Sequence, residues 1–206
     1  MKYTDKDKNM VREIKIAITG ELRSGKTTLQ KYAEKKYGGF VPFAFADDLK
    51  EMFHAEFPHV PMNPKPRKGY QLYGQLMRFI FGEDYWINKC FHKIERVRHA
   101  AKNYNILGDQ VEFMPMITDA RQPNEFERCY KEGYTLIRVE ASEELRIERA
   151  KAEGDKFSLE DLQHESEKYI AEAPVHFVLY NNGSLETLYA QFDEVMTYLK
   201  GEHLNG

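Results

Sequence analysis

Cysteine is scarce in this chain. Cys90 and Cys129 are the only two in 206 residues, too few for a disulfide framework, and they fit a reducing compartment. Long hydrophobic runs are missing as well: no stretch reaches 18 consecutive apolar residues, so no transmembrane helix is expected. The opening MKYTDKDKNM lacks the apolar segment of a signal peptide and reads as a flexible tail over about residues 1–11. There is no excess of one charge. Thirty basic side chains against 33 acidic ones leave a net charge of −3, which offers no general attraction to nucleic acid or to an anionic membrane. The seven histidines show no metal-ligand spacing. At 42% apolar and 31% charged, the composition excludes disorder and low-complexity scaffolds. The expectation is a soluble cytoplasmic protein that binds neither nucleic acid nor membrane.

Strand and helix patterns alternate, which predicts a parallel sheet with helices on both faces. Strands are expected at Ile14–Thr19, Phe40–Ala44, Met114–Thr118, Thr135–Val139 and His176–Tyr180. Leu49, Met52, Phe53 and Phe57 recur at helical spacing, as do Leu72, Leu76, Phe79 and Ile80 up to Gly82. The four prolines between residues 58 and 69 predict a loop between these two helices, and Ile87 to Ala101 predicts a longer helix after them. Roughly 70 residues thus separate the second and third strands, far more than a crossover of a dozen or so needs, so this stretch is an inserted helical subdomain. Leu185 to Leu199 forms a final helix whose apolar stripe reads as core.

The most specific signal is Gly20-Glu-Leu-Arg-Ser-Gly25-Lys26-Thr27, which fits G-x-x-x-x-G-K-[ST] between an apolar strand and a helix. Glycines let the backbone curl so that successive N–H groups face phosphate oxygens, and the helix N-terminus adds about half a positive charge there. Gly20, Arg23, Ser24, Gly25, Lys26, Thr27 and Thr28 are therefore candidate ATP-binding residues. Lys26 is placed at the β and γ phosphates, the Thr27 hydroxyl on Mg²⁺, and Asp119, at the end of the apolar strand Met114–Thr118, near Mg²⁺ through its waters. An N-K-x-D guanine reader is not present, because Asn88-Lys89-Cys90 runs into Phe91 within a helical pattern.

Further short motifs follow in order: Phe45-Ala46-Asp47-Asp48-Leu49-Lys50, Gly74-Gln-Leu-Met-Arg78, Asp84-Tyr-Trp86-Ile, Thr118-Asp119-Ala-Arg121-Gln-Pro-Asn-Glu125 and His164-Glu-Ser166-Glu167. Together they resemble the phage-type deoxynucleoside monophosphate kinases over about residues 14–199. The resemblance implies a single three-layer α/β/α P-loop kinase domain. Its parallel sheet would have about five strands, with a helical acceptor-binding insertion over about residues 46–110 and a lid over about 142–172. It also implies phosphoryl transfer from ATP to a deoxynucleoside monophosphate, with Mg²⁺. Asp47, Lys50, Arg78, Trp86, Asp119, Arg121 and Glu167 are then substrate-side candidates, and Asn182 lies near the adenine.

Each residue also has a plainer reading. Asp47 can cap the helix that begins near Asp48. Trp86 can be core, Asp119 a turn residue paired with Arg121, and Glu167 a solvated carboxylate. Asn181-Asn182-Gly183-Ser184 can be simply a turn before a helix. Arg146 and Arg149 share a helix face in the lid segment, where Arg149 is the candidate for the transferring phosphoryl group. Lys26, Arg78, Arg121 and Arg149 are the candidate catalytic cations, and no protein general base is expected, since a phosphate acceptor is already anionic near neutral pH. Other small-molecule P-loop kinases, of the dephospho-coenzyme A or phosphomevalonate type, and a non-catalytic ATP-binding module are the alternatives. Homodimerisation is left open.

Overall fold

The computed structural model describes residues 13–106, 112–152 and 165–201. Five strands, β1 (Ile16–Thr19), β2 (Phe40–Phe43), β3 (Met114–Ile117), β4 (Thr135–Glu140) and β5 (Phe177–Tyr180), pair in parallel in the order β2-β3-β1-β4-β5. All four residues of β1 and of β3 are buried, as expected for strands covered on both faces. The strands are somewhat shorter than their apolar runs. Lys15 lies outside β1, although its carbonyl still accepts from Thr135 N at 2.8 Å.

Alternation along each strand builds two cores. Ile16 and Ile18 join α1 (Lys26–Tyr37) and the C-terminal helix α8 (Leu185–Lys200) through Leu29, Ala33, Leu188 and Phe192. Ala17 faces the other side, towards α4 (Tyr85–Ile106) and α5 (Pro123–Lys131), where Ile87, Cys90, Phe91, Ile94 and Phe126 are buried. Each fully buried Ile, Leu or Phe contributes about 1.5–3 kcal/mol of transfer free energy. This is the expected three-layer α/β/α arrangement.

Between β2 and β3 run α2 (Phe45–Glu56), α3 (Arg67–Phe81) and α4. Two boundaries differ from the sequence expectation. Helix α2 begins at Phe45, and its cap comes from Asp119 rather than Asp47: the Asp119 carboxylate accepts from Phe45 N at 2.7 Å and from Ala46 N at 3.1 Å. Helix α3 begins at Arg67, so the proline loop ends at Pro66, whose fixed φ suits a helix start. The predicted lid contributes α6 (Glu143–Ala152) and α7 (Glu165–Glu172). Its middle, like the expected tail at residues 1–11, lies outside the described residues. Both cysteines are buried free thiols. Among the described residues, no helix is long and apolar enough to cross a membrane.

Candidate active site

Strand order reverses beside β1, and ligand crevices in open α/β sheets form at such a switch, beyond the carboxyl ends of the strands. The ends of β1 and β3 are tied there by Thr19, whose buried Oγ1 donates to Ala120 O at 2.7 Å. The Gly20–Thr27 turn leaves β1 at this point. Gly20 has φ 149°, and a Cβ on it would sit 2.4 Å from Val139 O. Gly25 has φ 113°, and its Cβ would sit 2.2 Å from Asn181 Nδ2. At both positions only glycine is free of backbone strain and side-chain collision. Helix α1 then starts with no side-chain cap and no acid in its first turn, leaving its amides and positive dipole end for an anion.

The loop is braced from behind by residues far away in the chain. Asn181, at the end of β5 and 3% exposed, donates from Nδ2 to Ser24 O at 2.8 Å. Arg149 on α6 donates to Asn181 O at 2.9 Å and to Arg23 O at 3.4 Å. One turn earlier, buried Arg146 pairs with Glu21 at 3.1 Å. Both α6 arginines therefore reach the loop. Lys26 Nζ donates to the loop's own carbonyls, Gly20 O at 2.6 Å and Glu21 O at 2.8 Å.

In front of the loop lies a cavity of about 790 Å³. Eight lysines and arginines line it against two aspartates, Asp47 and Asp119, although the chain as a whole is weakly acidic. Arg23, Lys26, Lys31 and Arg149 crowd the loop end. Lys50, Lys65, Arg67 and Arg121 complete the wall. So dense a cluster of cations suits a ligand with several negative charges. Lys50 pairs with Asp47 at 3.6 Å, an exposed i,i+3 contact.

Of the residues picked out by sequence, Arg23, Gly25, Lys26, Thr27, Thr28, Asp47, Lys50, Asp119, Arg121 and Arg149 line this cavity. Gly20 and Ser24 shape the loop without lining it. Three others are placed elsewhere. The Trp86 indole is 2% exposed and donates to Gly74 O at 3.2 Å, which makes it a core residue joining α3 to α4. Arg78 sits on α3 outside the cavity wall. Asn182 is exposed, and its Oδ1 accepts from Ser142 N at 2.7 Å at the start of α6; its neighbour Asn181 is the one that faces the loop. The Glu167 side chain lies outside the described residues. Among the lining residues that sequence reading does not select are Lys31, Lys65, Arg67 and Asn181.

Burial pushes the Asp119 carboxyl up, while its two amide donors and nearby Arg121 pull it down; the net direction is upward. Behind it, Glu125 is 6% exposed and accepts from Arg121 N at 2.7 Å and Gln122 N at 3.0 Å, fixing the backbone that presents Arg121. Burial, with the Asp119 charge in second place, raises Glu125 from an ordinary 4.5 to about 7. The folded state therefore holds this proton more tightly than the unfolded chain does. Its stabilising effect is complete at low pH and is lost as pH rises from about 4.5 to 7, by up to about 3 kcal/mol. Glu125→Gln should remove that slope. In urea unfolding from pH 5 to 8, the variant is expected to gain on the wild type as pH rises; a pH-independent difference would show that Glu125 does not titrate in this way.

No family model matches the chain, and no curated protein matches it. Solved structures do. Shikimate kinase from Acinetobacter baumannii, in complex with shikimate, superposes with a TM-score of 0.53 at 13% identity, covering 96% of this chain and 99% of that one. The Aquifex aeolicus VF5 shikimate kinase gives 0.49 at 15% identity, with 94% and 100% covered. TT1252 from Thermus thermophilus gives 0.46 at 20% identity, with 94% and 99% covered. The first of these likenesses identifies the fold, a five-stranded parallel sheet with flanking helices of the P-loop kinase kind. It does not extend to the phage-type deoxynucleoside monophosphate kinases, a resemblance that rests on the sequence motifs.

Proposed function

We propose that this chain is an ATP-dependent small-molecule kinase that transfers the γ-phosphoryl group of ATP to a deoxynucleoside monophosphate, giving ADP and the diphosphate. One observation carries the reading. The Gly20–Thr27 loop, bare helix end included, opens into the same cavity as Lys50, Lys65, Arg67 and Arg121, so a donor and a phosphorylated acceptor can share one cationic chamber. A singly charged carboxylate acceptor would leave much of that positive charge uncompensated, which favours a phosphomonoester dianion. The resemblance of the ordered motifs from Phe45 to Glu167 to the phage-type deoxynucleoside monophosphate kinases supports a deoxynucleotide as that acceptor.

The chain's own groups have simple tasks. Lys26 exchanges its two carbonyl contacts for phosphate oxygens, and the amides at the start of α1 hold the β-phosphate region. Arg149 sits where negative charge develops, and Arg121, Lys65 and Arg67 orient the acceptor. Arg78, outside the cavity wall, supports the acceptor region from α3. The Thr27 hydroxyl would hold Mg²⁺ directly and the Asp119 carboxylate would hold it through a water. This sparse set fits an ion that is bound through one or two protein oxygens plus phosphates and supplies charge neutralisation. No deprotonation by the protein is needed, because the acceptor phosphate is already ionised at neutral pH.

Coupled ADP release tests the reading. With ATP and Mg²⁺, turnover is expected with one or more of the four deoxynucleoside monophosphates and well above the acceptor-free rate. Turnover confined to dephospho-coenzyme A, phosphomevalonate or shikimate would reassign the acceptor. ATP binding with no acceptor-stimulated release would make the chain a binding module.

A further inference from the structure

Helix α3 turns its aliphatic face outward. Leu72, Leu76, Phe79 and Ile80 follow one another at helical spacing and are 58%, 51%, 88% and 56% exposed. The opposite face already has its partners. A Cβ on Gly74 would lie 2.7 Å from Leu49, and one on Gly69 would lie 2.8 Å from Phe53. Tyr70 bonds His54 at 2.7 Å, and Tyr73 packs edge-on against Phe53. Rotating the helix to bury its leucines would break all of these contacts, so the outward row is a built surface. Single exposed apolar residues are ordinary, but four contiguous large ones mark an interaction face.

We propose that this face is the two-fold interface of a homodimer in which α3 packs antiparallel against α3 of a second copy, centred on Leu76. Charge selects that occupant and that direction. Exposed Lys68 lies at the amino end of α3, and exposed Glu83 and Asp84 follow its carboxyl end. An antiparallel pair brings each basic end against the partner's acidic end, twice by symmetry, whereas a parallel pair would set like ends together. Pairing about Leu76 also sets Leu72 opposite the partner's Ile80 and Leu76 against its own copy. The four side chains of each copy offer on the order of 400–500 Å² of apolar surface on this face, more than half of the roughly 800 Å² per partner of a standard interface. This inference does not depend on the kinase reading.

Sedimentation equilibrium of the full chain from about 1 to 100 µM is the test, with dimerisation expected at micromolar concentrations. Leu76→Lys places two ammonium groups at the symmetry axis and should weaken association at least about 100-fold. Phe79→Ser serves the same purpose should Leu76→Lys fail to fold. Lys68→Glu and Asp84→Lys should each weaken it roughly tenfold, and the double exchange should restore it. A monomer at about 100 µM overturns the proposal, whether the chain's termini or another protein covers the face. So does a dimer indifferent to Leu76→Lys and Phe79→Ser, and a double exchange no better than the single ones overturns the antiparallel register.

Discussion

Replacing Lys26 by alanine is expected to lower phosphoryl transfer by about 10³-fold or more while the protein stays folded. The size of the effect follows from charge. Lys26 is half-buried at the mouth of a loop that also offers fixed amides at the start of α1, and its ammonium group is a mobile charge able to follow the transferring phosphoryl group. The small folding cost follows from its partners. Gly20 O and Glu21 O accept from Nζ in bonds that are only partly buried, and each such bond is worth only about 1 kcal/mol net. Steady-state rates beside a thermal melt separate the two effects. A variant that unfolds, or one that keeps wild-type turnover, contradicts the assignment.

Arg149→Ala is the second large effect, about 10²–10³-fold, and should fall mainly on kcat. Arg149 is the one α6 side chain that both lines the cavity and bonds the loop's backbone, at Arg23 O, while also donating to Asn181 O beyond β5. Its loss removes a cation from the chamber and loosens the brace that Asn181 makes to Ser24 O. Lysine keeps the charge but cannot bridge two carbonyls with a fork, so Arg149→Lys should recover only part of the rate. If the whole loss appeared instead in the KM for ATP, Arg149 would be a binding residue and not one that acts on the transition state.

The sequence was most informative where chemistry needs contiguous residues. A phosphate-binding turn is written in eight consecutive positions, and apolar runs of four to six residues announce buried parallel strands. Contacts made across the chain were not legible in this way. Asn181 meets Ser24 from 157 positions away, and it was Asn182 that sequence reading selected. The choice between them is one of strand parity. Asn181 N still bonds Glu140 O at 2.7 Å, extending the β4–β5 ladder, so its side chain turns inward and the next one turns out. Lys65 and Arg67 were lost in a proline-rich loop whose position depends on how three helices pack. Helix α3 was legible as a helix, but not for which way it faces. An amphipathic pattern is ordinarily read with its apolar side inward, and here glycines and tyrosines fill the inner side. A sequence shows only near neighbours, so local Asp47 is the cap it offers as the plainer reading for α2; Asp119 reaches that helix from just beyond β3.

The central claim is that one chamber holds a triphosphate on the Gly20–Thr27 loop and a phosphorylated acceptor beside it. Incubation with ATP labelled at the γ-phosphorus, Mg²⁺ and each deoxynucleoside monophosphate, followed by separation of the products, tests it most directly. The label should appear in a deoxynucleoside diphosphate with wild-type protein and vanish from it with Lys26→Ala. Label recovered only in unreacted ATP or inorganic phosphate, whichever acceptor is supplied, would contradict the claim.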